Sequence, residues 1–212
     1  MQPPTPRQIR LALEERHGAA LQQRISGASV AVCGLGGLGS HIALTLARAG
    51  VGHLRLIDFD KVDLSNLNRQ QYAVSQLGQY KTEALRDTLQ AVAPCCRVTC
   101  HTLKVTDAHI PTLFPGDSVI IEAFDRAEAK AMLVSGVLEN WPSAWLIACS
   151  GMAGLGSSNT IHTRRVSRRF YLCGDETTDS ADGLGLMAPR VMLCAAHAAN
   201  MALRLIAGLE DP

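Results

Sequence analysis

Residues 30–50 read VAVCGLGGLGSHIALTLARAG, and this stretch decides the fold. Residues 30–33 are a short apolar run with the character of a buried strand. Gly34, Gly36, Gly37 and Gly39 then form a loop, and the segment 38–49 resumes with helical spacing closed by Gly50. Strand, glycine turn and helix in that order bring the free N–H groups of a helix N-terminus to the strand end, where they suit a phosphate. A second apolar strand follows at 54–57. It ends on Asp58, nineteen residues past Gly39, where a carboxylate can accept from ribose hydroxyls. The pattern is a mononucleotide half-site, and alone it does not separate NAD from ATP.

Outward from this unit the alternation continues. Helical patterns occupy 7–24, 79–92 (stopped by Pro94), 126–140 and 189–207, the last opened by Pro189 and closed by Gly208. Strands are expected at 97–103, 119–121 (after the turn at Pro115, Gly116 and Asp117) and 145–149, with two more in 161–171. Strands alternating with helices predict an α/β, Rossmann-like doubly wound fold: a mostly parallel sheet with helices on both faces and a C-terminal antiparallel extension. No repeat or long linker divides the 212 residues. We therefore expect one domain over 1–212, with an N-terminal helical segment (1–26), a nucleotide-binding core (27–150) and a C-terminal part (151–212).

Composition excludes several classes. Hydrophobic residues make up 47% and charged residues 18%, which suits a packed core rather than disorder. Twenty basic against nineteen acidic side chains leave +1, which excludes a uniformly basic surface, and 4% aromatics make base-stacking platforms and nucleic-acid binding unexpected. No run of 18 apolar residues suggests a membrane span, and the charged N-terminus lacks a signal core, so a cytoplasmic location is expected. Seven cysteines, odd in number and without a Cys-x-x-Cys pair, read as reduced thiols and predict no structural zinc.

The segment 58–70, DFDKVDLSNLNRQ, gathers phosphate-directed chemistry just past the ribose position. Arg69 offers a two-pronged donor, Asn66 and Ser65 neutral polar groups, Asp60 a second carboxylate, and Lys81 a point charge opening the next helix. Asp125, after the strand at 119–121, suits a Mg²⁺ ligand, because that ion takes one or two carboxylates plus phosphate oxygens. Hydride transfer needs no such set.

The motifs GLGGLGS (34–40), DFDKVDLSNLNRQ (58–70), Lys81 and EAFDRAEAKA (122–131) together resemble the ThiF/MoeB/HesA-type, ubiquitin-activating-like adenylyltransferases. The tail pieces SGMAG, SSNTI, YLCGDE and GLGLMAPRVMLCAAHAANM resemble the short ThiF forms, which adenylate the sulfur carrier ThiS in thiamine biosynthesis. The likeness runs from residue 27 to about 208.

That resemblance implies ATP and Mg²⁺ as cofactors. The glycines and Asp58 would bind the nucleotide, Asn66, Arg69 and Lys81 the phosphates, and Asp125 the metal, with Arg69, Lys81 and Asp125 catalytic. It implies a ThiS-like carrier ending in Gly-Gly as partner, a cysteine desulfurase as sulfur donor, and a homodimer in which an N-terminal arginine, Arg10 or Arg16, crosses to the partner's ATP. Small residues at 151–158 would let an extended tail approach the α-phosphate. Cys173, taken as exposed and close to Arg168 and Arg169, is the candidate sulfur- or acyl-transfer thiol, weighed against an ordinary structural thiol. Cys33, Cys149 and Cys194 read as core. The arginines at 164–169 either dock an acidic carrier or form a solvated strand face. His197 reads as a packed histidine. The helix at 189–207, apolar nearly all round, needs cover from a partner subunit or from residues 1–24. A related enzyme acting on another carrier, tRNA or a peptide, an NAD-binding oxidoreductase and an inactive scaffold are the competing readings. Pyrophosphate exchange with ATP separates those classes.

Overall fold

The computed structural model describes residues 4–212, apart from the side chain of Ser180. A seven-stranded sheet forms its centre: β1 (Ser29–Cys33), β2 (His53–Ile57), β3 (Arg97–His101), β4 (Val119–Glu122), β5 (Trp145–Cys149), β6 (His162–Ser167) and β7 (Phe170–Gly174). The spatial order is β3-β2-β1-β4-β5-β7-β6. All neighbours are parallel except β6, which runs antiparallel to β7. The expected antiparallel extension is therefore only its outer strand. The hairpin turns back so that β7, the later strand, pairs with β5 and closes it on that side.

The helices are α1 (Pro6–His17), α2 (Ala19–Gly27), α3 (Gly37–Arg48), α4 (Lys81–Val92), α5 (Ile110–Leu113), α6 (Ala127–Asn140) and α7 (Ala188–Ile206). The helix expected over 7–24 is broken in two, because Gly18 adopts φ +83°, a left-handed conformation that ends α1. Thr5 and Gln8 cap α1 reciprocally, yet it buries no residue. Arg10 and Arg16 both stand exposed on it.

Two apolar layers sandwich the sheet. One joins Val30, Val32, Leu54, Leu56 and Ile147 to Ile42 and Leu46 of α3, Leu85 and Leu89 of α4, and Val191, Ala198 and Leu205 of α7. The other joins Ala31, Cys33, Ile57 and Ile120 to Ile110 and Leu113 of α5, Phe114, and Leu133 and Val137 of α6. α7 packs on α3 and on β5, β6 and β7, and touches α2, so much of its cover comes from its own chain. Met192, Ala196 and Asn200 remain exposed along one side of it. No described helix is long and apolar enough to cross a membrane.

Between β3 and β4 the chain forms only the four-residue α5, and polar side chains cover the sheet there. Arg55 pairs with Asp117 at 2.5 Å and donates to Pro115 O and to His101 Nε2. Ser29 donates to Asp117, so its oxygen accepts from His53 Nδ1, and His53 Nε2 bonds the Thr99 hydroxyl at 2.8 Å. His53 is buried in this cluster and His101 half-buried. Burial, aided by the nearby Arg55, lowers the pKa of each below the usual histidine value.

Candidate active site

The glycine loop leaves β1 at the point where the chain's path along the sheet reverses, with β2 on one side and β4 on the other. A crevice opens at such a switch point, outside the carboxyl ends of parallel strands. Gly34 takes φ +90° and donates to Ile57 O. A Cβ there would lie 2.6 Å from Ala123 O and 3.0 Å from the Phe124 ring, so the glycine lets the loop press against the turn after β4. Gly36 caps α3, and a Cβ on it would meet nothing nearer than Gln70 Nε2 at 3.7 Å. Gly37 faces Val191 and Arg69, and a Cβ on Gly39 would strike the Gly34 carbonyl. Of the four, only Gly36 faces free space; the others are required by packing.

Asp58 stands at the end of β2, buried, and bridges two segments. Its Oδ2 accepts from the Leu35 N–H of the glycine loop at 2.6 Å, and its Oδ1 from the Asp60 N–H at 2.8 Å. Burial raises its pKa, opposed by the charge of Lys81 and by these two backbone bonds. Two carboxylate lone-pair sites remain for a ligand. Lys81 opens α4 with its ammonium nearly buried, 3.0 Å from Asp60.

Arg69 is half-buried beside Gly37, and its Nη1 donates to Asn68 Oδ1. Its backbone carbonyl meets His41 of α3 at 3.2 Å. Asn66 bonds Ser65 and Gln70, and Ser65 closes a turn onto Asp63, so these two serve the loop's own geometry. Asp125 is exposed on the loop between β4 and α6, which Glu122 and Lys130 clamp. Lys130 Nζ reaches both Glu122 oxygens and Cys149 O, and Glu122 accepts from Phe124 N. Burial raises the pKa of Glu122, and Lys130 opposes the shift.

Gln70 ends the 58–70 segment, and its spacing alone assigns it no role. It is buried, and its Oε1 is the one buried side-chain oxygen or nitrogen among the described residues without a partner. Buried carbonyls are seldom left so, and this one lies beside the glycine loop, where a nucleotide hydroxyl or amine would satisfy it. A separate groove of about 400 Å³, lined by Gln23, Arg24, Ser118, Trp145 and Leu205, lies at the opposite ends of the strands and includes none of these residues.

Cys173 departs from the expectation. It is fully buried on β7, in the apolar layer that the sheet shares with Cys194 and Ala198 of α7. Burial pushes its thiol pKa well up, and its sulfur contacts Thr163, which bonds His197. A buried, protonated thiol is a poor nucleophile, so this structure does not present it as a transfer group. Cys33, Cys149 and Cys194 are core, as expected. Of the arginine cluster, Arg164 pairs with Glu176, Arg165 with Glu210, and Arg169 stacks 4.3 Å from the Trp145 ring centre.

The chain matches the ThiF family over residues 6–212. It belongs to the ThiF family. Two relatives of this ThiF-family chain are named molybdopterin-synthase adenylyltransferase. The one from Salmonella typhimurium is 31% identical and that from Escherichia coli K12 30%, each over 90% of this chain and 78% of the relative. By that kinship the chain is an adenylyltransferase. The fold matches the E. coli tRNA N6-threonylcarbamoyladenosine dehydratase TcdA, solved with ATP, at TM-score 0.86 and 24% identity over 95% of each chain. At that identity the likeness concerns the fold.

Proposed function

We propose that this ThiF-family chain binds Mg-ATP in the crevice at the ends of β1, β2 and β4 and adenylates the C-terminal carboxylate of a small ubiquitin-like sulfur carrier. A ThiS-like protein of thiamine biosynthesis, ending in Gly-Gly, is the proposed carrier. The observation that carries this reading is the convergence on one glycine loop of Asp58, Arg69 and Gln70 with the turn leading to Asp125.

In the reaction a carrier carboxylate oxygen forms a bond to the α-phosphorus, and the bond from that phosphorus to the bridging oxygen breaks. Acyl-adenylate and pyrophosphate result. A carboxylate is already a nucleophile, so no general base is needed, and positioning and charge neutralisation dominate. Gly36 and the N-terminus of α3 cradle phosphate oxygens. Asp58 and Gln70 take the ribose and neighbouring polar groups. Arg69 and Lys81 neutralise the pyrophosphate, Lys81 exchanging some of its contact with Asp60 for phosphate.

No three His, Cys, Asp or Glu side chains converge as a metal cage among the described residues. Magnesium fits nonetheless, since it is commonly held by one carboxylate and the substrate's phosphates; Asp125 would supply the carboxylate. Bound there, the ion would neutralise phosphate charge. In this reading the outer sulfur of a desulfurase persulfide would later attack the acyl carbon and expel AMP, and a thiol reductant would cleave the resulting acyl disulfide to leave the carrier thiocarboxylate. The chain acts as a homodimer in this reading, with the Met192 and Ala196 side of α7 towards the partner and Arg10 or Arg16 crossing to its ATP.

The test is ATP–pyrophosphate exchange with purified Gly-Gly-ending carriers, read with the intact mass of the carrier. A ThiS-like carrier gaining one AMP is expected. Exchange with a different carrier would move the substrate assignment and leave the chemistry in place. Light scattering showing a single-chain mass at micromolar concentration would reject the dimer.

A further inference from the structure

Arg190, one residue before the Val191 that packs on Gly37, is an arginine whose guanidinium is almost wholly buried at the start of α7. All five of its N–H donors are used. Nε donates to Ala153 O at 3.1 Å, Nη1 to Gly156 O at 2.9 Å and to Ser157 O at 2.7 Å, and Nη2 to Thr160 Oγ1 at 3.2 Å and to the Asp175 carboxylate. Asp175 is itself held from the other side by Thr177 and Thr178 N–H groups, each at 2.9 Å. The Thr178 hydroxyl donates to Asp175 and accepts from Ala153 N, which closes a ring of bonds through the same loop. Burial alone would push the Asp175 carboxyl up, but the hydrogen bonds from Thr178, Thr177 and Arg190 outweigh it and bring it down to about 2.

The segment gripped in this way, 151–160, is Gly-Met-Ala-Gly-Leu-Gly-Ser-Ser-Asn-Thr. Such a sequence has little intrinsic order, because its three glycines lose the most backbone freedom on being fixed and its small side chains bury little to offset that cost. Here one side chain fixes three of its carbonyls and a hydroxyl. The stretch 186–191 that carries Arg190, rather than 151–160 itself, is tied to the nucleotide crevice twice: Val191 abuts Gly37, and Leu186 O accepts from Asn68 Nδ2.

We propose that Arg190 is a positioning residue that, with Asp175, sets the 151–160 loop in register with the glycine loop, so that the loop is pre-ordered to receive the carrier's extended tail. The inference rests on the adenylation reading given above. Pre-ordering lowers the cost of binding the group that lies on the loop and leaves the cost of binding ATP unchanged. Lysine cannot replace Arg190, because it has three donors on one point charge in place of five in a planar fork.

Hydrogen exchange on the full chain tests the clamp. In Arg190→Met and Arg190→Lys the amides of 151–160 should exchange about tenfold faster or more, the factor expected for one lost charge-assisted hydrogen bond, while those of β1, β2 and β4 stay as in the wild type. With a Gly-Gly carrier that the wild type adenylates, the KM for carrier should rise about tenfold and the KM for ATP should not change. Unchanged exchange in a folded Arg190→Met protein overturns the proposal, as does a raised KM for ATP with an unchanged KM for carrier. Should Arg190→Met not fold, Thr160→Val removes one acceptor at an exposed site, and exchange in 151–160 that stays at the wild-type rate overturns it equally. If no carrier supports pyrophosphate exchange with the wild type, the functional reading fails by itself, and hydrogen exchange still decides the clamp.

Discussion

Gly34 and Gly36 lie two residues apart in one loop, and the structure assigns them opposite sensitivities. Alanine at Gly34 would place its Cβ 2.6 Å from Ala123 O, where ordinary contacts begin at 3.4 Å, so the loop or the turn after β4 must retreat by almost an ångström. Overpacking of that kind costs about 1–3 kcal/mol. The φ of +90° adds about 1–2 kcal/mol for a residue with a side chain. The sum is roughly 2–5 kcal/mol. At about 2–4 °C per kcal/mol for a domain of this size, Tm should fall by roughly 4–20 °C. Alanine at Gly36 meets nothing within 3.7 Å and has φ −73°, so its cost should stay within about 1 kcal/mol and Tm within about 4 °C. The methyl group would then occupy the space assigned to phosphate, and ATP affinity should drop at least about tenfold, or 1.4 kcal/mol. Differential scanning fluorimetry with and without ATP, followed by calorimetric titration, measures both quantities. A Gly36→Ala protein with wild-type melting and wild-type ATP affinity would falsify the phosphate assignment. A Gly34→Ala protein as stable as the wild type would show the packing argument to be wrong.

Arg69→Ala and Lys81→Ala should each slow adenylation by roughly 10²–10³ at saturating ATP, the usual loss for one charge stabiliser of a transition state; a change confined to KM in single-turnover kinetics would contradict that role. Lys130→Met strips Glu122, whose side chain is 1% exposed, of its cation and should cost about 3–5 kcal/mol in urea unfolding, with part recovered in the Glu122→Gln, Lys130→Met double variant. Recovery of nothing would mean that the pair is not the source of the loss. Because folded His53 and His101 bind protons less readily than the unfolded chain, stability is full above pH about 6.5 and falls as the pH drops through that value towards their lowered pKa values. The fall in urea midpoint between pH 7.5 and 5.5 should shrink in the His53→Gln and His101→Gln variants, and an identical slope in all three proteins would refute the assignment. Thiol labelling of the native protein should modify exposed Cys95 first and spare Cys173. Equal rates at the two would restore Cys173 as a candidate nucleophile.

Much of the nucleotide half of the molecule was legible because its signals are local. A strand, a glycine turn and a helix within residues 30–50 place the crevice, and the carboxylate after the next strand places Asp58, with no long-range information needed. What failed was set by distant partners. Cys173 reads as exposed from its nearness in sequence to Arg168 and Arg169; the layer that β7 shares with α7, a contact between distant parts of the chain, buries it. Arg190 and Asp175 read as a helix start and a polar loop, since nothing in the spacing says that they meet. The break at Gly18 was missed because a glycine flanked by helix formers is compatible with either a continuous helix or a left-handed stop. Glu122 and Lys130 sat inside a recognised motif, yet only the sheet's burial of Glu122 reveals why both are needed.

The placement of β7 between β5 and β6 also bears on how the chain is made. During synthesis, β5 is complete at residue 149, but the strand that closes its free side ends at residue 174, and the helix that covers its α3-side face is not finished until residue 206. Until then the nascent sheet displays an open, apolar edge, Trp-Leu-Ile-Ala-Cys, of the sort that pairs readily with other chains. Likewise α3, made by residue 48, waits some 140 residues for the α7 start at Ala188, its main packing partner. Contacts so remote in sequence form slowly. Completion of α7 at residue 206, rather than emergence of the glycine loop, is therefore the step at which the α3 side of the sheet is first covered, and a chain cut short near residue 150 should aggregate instead of folding as a smaller nucleotide binder.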